Sequence, residues 1–122
     1  MILDFRSEIP IYQQVANEIE SAIALGAYEE EAQVPSTTEI SVQYKINPAT
    51  ALKGVTLLVD EGILYKRRGL GMFVATGARQ KVMHKRKRAF NDRYVLPMVA
   101  EAKKLSITRK EIDEMIDRGY EK

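Results

Sequence analysis

The sequence predicts a mostly α-helical protein with one small β-hairpin, and three stretches carry that expectation. Residues 46–74 read INPATALKGVTLLVDEGILYKRRGLGMFV, a helix that opens on Asn47-Pro48, closes at Gly62 and runs straight into a basic hairpin. Just before it, Pro35-Ser36-Thr37-Thr38-Glu39 has the form of another helix start, so two helices would be joined by the short turn Lys45-Ile46-Asn47. Beyond the hairpin, residues 77–122 hold amphipathic helical stretches and no further strand pattern. Two helices on a short turn, then a hairpin with an arginine-rich tip, are the elements of a winged helix-turn-helix. The expected architecture is therefore a winged helix-turn-helix over residues 1–76, followed by a short two-helix region over 77–122.

Each element has a local reason. Residues 1–9 read as a short extended arm with Ile2 and Leu3 partly tucked in. Ile11, Val15, Ile19 (with Ala22) and Ile23 recur at three to four residues, which predicts a helix from Pro10 to Leu25 ended by Gly26. Tyr12 lies near that stripe and is read as core packing. Residues 27–34 form a polar connection in which Gln33-Val34 can add a short strand. Ser36 or Thr37 can cap the next helix, and Glu39 stands three residues after Ser36 as in a capping box. That helix would cover Thr37–Tyr44 and bury Ile40 with Val42 or Tyr44. Asn47 is a preferred cap for the third helix because its side-chain oxygen accepts from a free backbone N–H of the first turn. Pro48 follows where a missing N–H costs nothing. Ala51, Val55, Leu58 and Val59 make one apolar stripe. Gly54 in mid-helix normally costs about 1 kcal/mol relative to alanine, so it predicts a close approach to the preceding helix. Ile63-Leu64-Tyr65 and Met72-Phe73-Val74 are the hairpin strands, with Lys66–Gly71 between them. After the hinge Ala75-Thr76-Gly77, a helical stretch should run from Ala78 to Lys104. Its apolar side would include Ala78, Val82, Ala89, Val95 and Val99, and Pro97 should kink or split it. Thr108 and Glu111 form a second capping box, opening a helix with Ile112, Met115 and Ile116 on its apolar face and an end near Gly119. Two helices of this size cannot enclose a core alone; they need the first region or a second copy of themselves.

Composition narrows the function. The 122 residues hold no cysteine and a single histidine, His84, which argues against disulfides, thiolate metal sites and histidine-based catalysis within one chain. No apolar run approaches the roughly 18 residues that a membrane span needs, and the first ten residues carry no signal-peptide pattern. A cytoplasmic protein that is not an enzyme, with no cofactor, is the expectation. The net charge of +2 is unevenly spread: residues 1–76 hold six Lys/Arg against ten Asp/Glu, giving −4, and residues 77–122 hold thirteen against seven, giving +6. Binding to a polyanion depends on the cations near the phosphates rather than on the domain total. The acidic residues Glu18, Glu20 and Glu29-Glu30-Glu31 lie away from the helix-and-wing stretch in sequence.

Candidate contacts follow from these elements. Ser36 and Thr37 stand at a helix N-terminus, where free N–H groups favour a phosphate oxygen. Asn47 is a cap first, with its backbone close to where a phosphate would lie, and Pro48 shares that first turn. Ala49 and Thr50 open the third helix and can meet a thymine methyl or a base edge. Arg67 and Arg68 make the strongest case, since a hairpin has no structural need of adjacent cations at its tip whereas a wing on a minor groove or phosphate does. Gly69 suits the turn and would let backbone come close to DNA. Lys85-Arg86-Lys87-Arg88 point in four directions on a helix and read as a solvated or inter-subunit face rather than a second DNA site. His84 has no assigned role.

The segments Ile9-Pro10-Ile11-Tyr12-Gln13-Gln14, Val34-Pro35-Ser36-Thr37-Thr38-Glu39-Ile40, Asn47-Pro48-Ala49-Thr50-Ala51 and Gly62-Ile63-Leu64, followed by Arg67-Arg68-Gly69-Leu70-Gly71-Met72-Phe73-Val74, occur in an order and spacing that resemble the GntR family of bacterial transcription regulators, and its short YtrA-like branch. The resemblance covers about residues 9–76. Beyond it, length, two helices and the aromatic Phe90-Asn91-Asp92-Arg93-Tyr94 segment also match. It implies a winged helix that binds double-stranded operator DNA as a homodimer, paired through residues 77–122. The expected function is a sequence-specific transcriptional regulator, read as a repressor on a palindromic operator. Where much of the family has arginines, this chain has Thr38, Pro48 and Leu52. That weakens the case for bidentate arginine-to-guanine readout and leaves Thr37, Thr38, Asn47, Ala49 and Thr50 as short-reach groups, with Lys53 for phosphate or base edge. The missing arginines and the −4 charge motivate an alternative, a winged-helix protein-interaction module without specific DNA binding. About 46 residues of helix leave little room for an enclosed pocket of roughly 300 Å³, so the sequence leaves any small-molecule effector unknown.

Overall fold

The computed structural model describes residues 3–122, so the expected place of Ile2 lies outside the described residues. Leu3, at the start, is half-buried and packs on the core. The elements in order are α1 (Ile11–Ala24), α2 (Thr37–Tyr44), α3 (Pro48–Asp60), β1 (Leu64–Arg67), β2 (Gly71–Val74), α4 (Ala78–Phe90), a π-helical turn (Asn91–Val95), α5 (Leu96–Lys104) and α6 (Arg109–Tyr120). The chain divides into two compact units, one running to His84 and the other Lys85–Lys122. The first turns of α4 belong to the first unit, because Ala78 and Val82 are buried in its core.

The core of the first unit is the apolar stripe of α1 laid on that of α3. Val15, Ile19 and Ile23 meet Ala51, Val55 and Leu58, and Ile40 of α2 with Ile63, Leu64 and Val74 of the hairpin close the sides. Gly54 marks the closest approach. A Cβ there would stand 2.6 Å from the Tyr12 carbonyl oxygen and 3.1 Å from the Val15 side chain. The neighbour that requires glycine is thus α1, not the preceding helix α2 as the sequence suggested. On α2, Ile40 is buried and Tyr44 half-buried, while Val42 faces outward, which selects tyrosine from the two expected partners.

The turn between α2 and α3 is held by its own polar groups. Lys45 adopts φ +54°, a left-handed conformation unusual outside glycine. The Ile46 N–H donates to the Ser41 carbonyl at 3.1 Å, and the buried Ser41 hydroxyl donates to the Ile46 carbonyl at 2.8 Å. These bonds fix where α3 begins relative to α2. Ser36 is the α2 cap: its hydroxyl accepts from the Glu39 N–H at 3.0 Å and the Glu39 carboxylate accepts from the Ser36 N–H at 3.1 Å. Thr108 and Glu111 repeat the arrangement at α6.

β1 and β2 pair antiparallel in the register Leu64 with Val74, Tyr65 with Phe73, Lys66 with Met72 and Arg67 with Gly71. Lys66 and Arg67 therefore lie in strand β1, and only Arg68-Gly69-Leu70 turns the tip, a shorter tip than the apolar runs implied. The segment before α2 joins as a third edge. Gln33 bridges Phe73, the Val34 N–H donates to the Met72 carbonyl at 3.0 Å, and the Val74 N–H donates to the Ala32 carbonyl at 2.9 Å.

In the second unit the helical break comes one turn before Pro97. The Leu96 N–H reaches back to the Asn91 carbonyl across the widened π-helical turn, and Pro97 then sits in the first turn of α5. A proline ring collides with the carbonyl four residues earlier, here that of Arg93, and widening the turn ahead of it relieves the collision. α5 ends on Ser106 at φ +56°, with the Ile107 N–H donating to the Ala102 carbonyl at 2.9 Å. This six-to-one closure usually employs glycine. α6 runs past Gly119 to Tyr120, so that glycine does not end the helix.

Candidate nucleic-acid interface

The residues singled out from the sequence fall on three neighbouring parts of the first unit: the start of α2, the start of α3, and the hairpin. At α2, Ser36 and Thr37 are half-buried and Thr38 is exposed. Ser36 already engages the Glu39 N–H, so its hydroxyl is a cap before it is a ligand. At α3, the Asn47 side-chain oxygen accepts from the Ala49 N–H at 2.8 Å. Asn47, Pro48, Ala49 and Lys53 are exposed, whereas Thr50 is only half-exposed. The Lys53 ammonium rests 4.0 Å from the centroid of the Tyr12 ring. That contact gives Tyr12 a second role beyond packing, as a platform that holds the only α3 cation. An exposed cation–π contact is worth about 0.5–1 kcal/mol, little enough for a phosphate to displace.

Arg67, Arg68 and Gly69 are all exposed at the far end of the hairpin. Alternation along β1 puts Tyr65 and Arg67 on one face and Leu64 and Lys66 on the other. The Arg67 guanidinium lies 4.9 Å from the Phe73 ring centroid, and Tyr65 and Phe73 lie 6.1 Å apart. An aromatic pair therefore underlies the arginine and restricts it. Gly69 has φ +77° and open space where a side chain would be. Lys66, on the opposite face, lines a cleft of about 310 Å³ with Ser36, Thr37, Leu52 and Thr56. Of the residues singled out from the sequence, the cleft brings together Ser36 and Thr37 only; its walls on α3 and the hairpin are Leu52, Thr56 and Lys66 rather than Asn47–Thr50, Lys53 or Arg67–Gly69.

Two side chains not singled out from the sequence set the hairpin in place. The Gln33 amide nitrogen donates to the Leu70 carbonyl at 2.7 Å, bracing the tip from 37 residues away. Gly71 adopts φ +114°, which favours glycine, and a Cβ there would stand 2.8 Å from that nitrogen and push the Gln33 side chain aside. At the base, the Glu31 carboxylate accepts from the Thr76 hydroxyl at 2.6 Å and from the Tyr65 phenol. These bonds hold the Glu31 carboxyl below the usual carboxylate range, the Thr76 hydroxyl foremost and the Tyr65 hydroxyl next, with a smaller contribution from the Arg67 charge. The same bond pushes the Tyr65 phenol up. Glu31 was distant from the wing in sequence; in the fold it is the wing's anchor. Glu30 adds a bond from the Gly77 N–H at 2.9 Å. Only the reading of Gln33-Val34 as a possible short strand hinted at this segment, and nothing in the sequence signals where those side chains reach.

The site offers hydroxyls at the start of α2 and exposed cations on α3 and the hairpin, which suits a phosphate-bearing duplex. Among the described residues there is no cluster of His, Asp and Glu that could hold a metal ion, and no helix long and apolar enough to cross a membrane. The family model for the bacterial regulatory proteins of the gntR family matches residues 11–74, which takes in α1, α2, α3 and both strands. The chain belongs to the GntR family. It is 30% identical to the HTH-type transcriptional regulator YhcF of Bacillus subtilis, over 92% of this chain and 91% of that one. Over a shorter stretch it is 33% identical to the transcriptional repressor NagR of the same organism, covering 62% of this chain but only 31% of NagR. Among solved structures, a GntR-family regulator from Bacteroides thetaiotaomicron superposes with a TM-score of 0.79 at 34% identity, covering 91% of this chain and 96% of the other. YtrA of Sulfolobus acidocaldarius gives 0.60 at 25% identity over 99% and 97%. The AraR DNA-binding domain in complex with its operator ORX1 gives 0.55 at 34% identity over 62% and 93%. This is a DNA-binding transcriptional regulator of the short, YtrA-like kind, in a family of regulators and not of enzymes. The mostly helical winged helix-turn-helix with C-terminal helices, expected from the sequence, is the fold.

Proposed function

We propose that the protein is a cytoplasmic, homodimeric repressor that recognises a palindromic operator. Each copy lays the start of α3, Asn47 through Lys53, in a major groove and sets Arg67, Arg68 and Gly69 over the adjacent minor groove or its phosphates. Ser36, Thr37 and Thr38 take phosphate oxygens at the start of α2. Residues 77–122 pair the two copies, and a two-fold dimer matches a two-fold operator. The observation that carries this reading is a cleft in the first unit whose walls come from the start of α2 (Ser36, Thr37), the exposed side of α3 (Leu52, Thr56) and Lys66 of the hairpin, with Arg67, Arg68 and Gly69 exposed on the same hairpin. The operator complex of AraR, 34% identical over this region, supports it.

The apolar groove between α5 and α6 supports the pairing step. It is open, about 430 Å³, and lined by Val99, Ile107, Ile112 and Ile116 among others.

The test is the salt dependence of operator binding. Replacing Arg67 and Arg68 together by alanine should flatten the slope of log K against log salt by about one for each phosphate that is no longer neutralised. An unchanged slope would remove the wing from the interface. Weak binding that ignores operator sequence would instead favour a protein-interaction module, the reading to which the −4 charge of residues 1–76 points.

A further inference from the structure

The exposed side of α3 carries a pattern that the cationic reading leaves unused. Its outward positions are Pro48, Ala49, Leu52, Lys53 and Thr56, with Asp60 at the far end of the helix. Leu52 is 54% exposed. A single leucine on a surface is ordinary, but here the company matters. Ala49 stands three residues before it and Thr56 four after, spacings that put the three on one helix face. Each is exposed and carries at least one methyl group. Two polar groups nearby are already engaged in the free protein: the Asn47 side-chain oxygen accepts from the Ala49 N–H, and the Lys53 ammonium lies on Tyr12, from which a phosphate can draw it. The face has no guanidinium and no free carboxamide to make a bidentate contact with guanine or adenine. Leu52 also forms one wall of the 310 Å³ cleft whose other walls include Ser36, Thr37 and Lys66. An apolar strip is thus set between groups suited to phosphate.

The apolar feature of the B-DNA major groove is the thymine C5 methyl. We infer that Leu52 is a specificity-determining residue that reads a thymine methyl, with Ala49 and Thr56 extending the contact along the groove. The half-site then contains a T·A pair at the position facing Leu52, and discrimination comes from apolar contact rather than from hydrogen bonds. This rests on the operator-binding reading above and adds to it the chemistry of the base that is read.

The experiment starts by selecting duplexes from a random pool on the purified full chain. Each dT of the enriched sequence is then replaced by deoxyuridine, which removes only the C5 methyl. Affinity is measured at one salt concentration for the wild type and for Leu52→Ala. At one or two positions per half-site, deoxyuridine should weaken wild-type binding by roughly threefold to fivefold, the worth of one buried methyl. In Leu52→Ala the same replacement should change nothing. The salt slope should match between the two proteins, since no charge is altered. A wild type indifferent to every deoxyuridine overturns the inference and leaves operator binding intact. So does an equal response of the two proteins at every sensitive position. A pool that yields no enriched sequence overturns the regulator reading itself.

Discussion

The two units solve the same problem with very different means. The first gathers apolar side chains from α1, α2, α3, the hairpin and the first turns of α4 into one closed core. The second, among the described residues, fully buries only Ala102. Its large apolar residues Leu96, Met98, Leu105, Met115 and Ile116 remain exposed. Yet its helices are well made locally, with a capping box at α6 and a six-to-one closure at the end of α5. Local signals suffice to make a helix but not to make it a folded unit, because helical stability in proteins comes mostly from burying the amphipathic face. The first unit is complete in one copy. The second carries an apolar face made to be covered, and the proposed dimer covers it with another such face.

Truncating one buried side chain in each unit tests that contrast at its strongest. Leu58 is wholly buried between α3 and α1, and Leu58→Ala should cost about 2–5 kcal/mol of unfolding free energy in a urea titration. Ile116→Ala, at a residue 41% exposed, should cost well under half of that at a dilution where the chain is monomeric. Equal losses would mean that the second unit has a core of its own. The next largest effect belongs to association. Ile112→Glu with Ile116→Glu sets two charges in the groove that the partner would cover, and light scattering at micromolar concentration should report a monomer. Operator affinity should then fall by roughly a hundredfold or more, the avidity that goes when two linked sites become one, while the urea midpoint of the first unit stays put. A variant that remains dimeric would place the pairing surface elsewhere.

Most of the fold was legible because its signals are local. Asn47-Pro48, Ser36 with Glu39 and Thr108 with Glu111 announce helix starts through bonds within three residues, and each is made as expected. What stayed hidden depends on distance along the chain. Gly54 showed that some helix comes close, but only the packed structure says it is α1. Pro97 announced a break, and the position of the break was decided by where the backbone could widen to clear the ring. In the candidate site, the cations and caps could be read directly, whereas Gln33 and Glu31, which hold the hairpin, touch partners 34 to 45 residues away. A glutamine and a glutamate in a polar connection carry no pattern that foretells such partners.

The Gln33 brace gives the smallest expected effect and the finest test of how a well-supported region serves the site. Its side-chain hydrogen bond to the Leu70 carbonyl is exposed, so deleting it should scarcely lower stability. What it restricts is the tip Arg68-Gly69-Leu70, and an unbraced tip must be ordered again on binding. Gln33→Met keeps the side-chain length and the charge and removes the donor. Operator affinity should drop by roughly fivefold, in line with about 1 kcal/mol for one hydrogen bond, with the urea midpoint unchanged. The decisive comparison is a double-mutant cycle with Arg67→Ala and Arg68→Ala. If Gln33 works by positioning those arginines, Gln33→Met should have no further effect once they are gone. A loss of the same size in both backgrounds would show that Gln33 contributes to binding by another route than the wing.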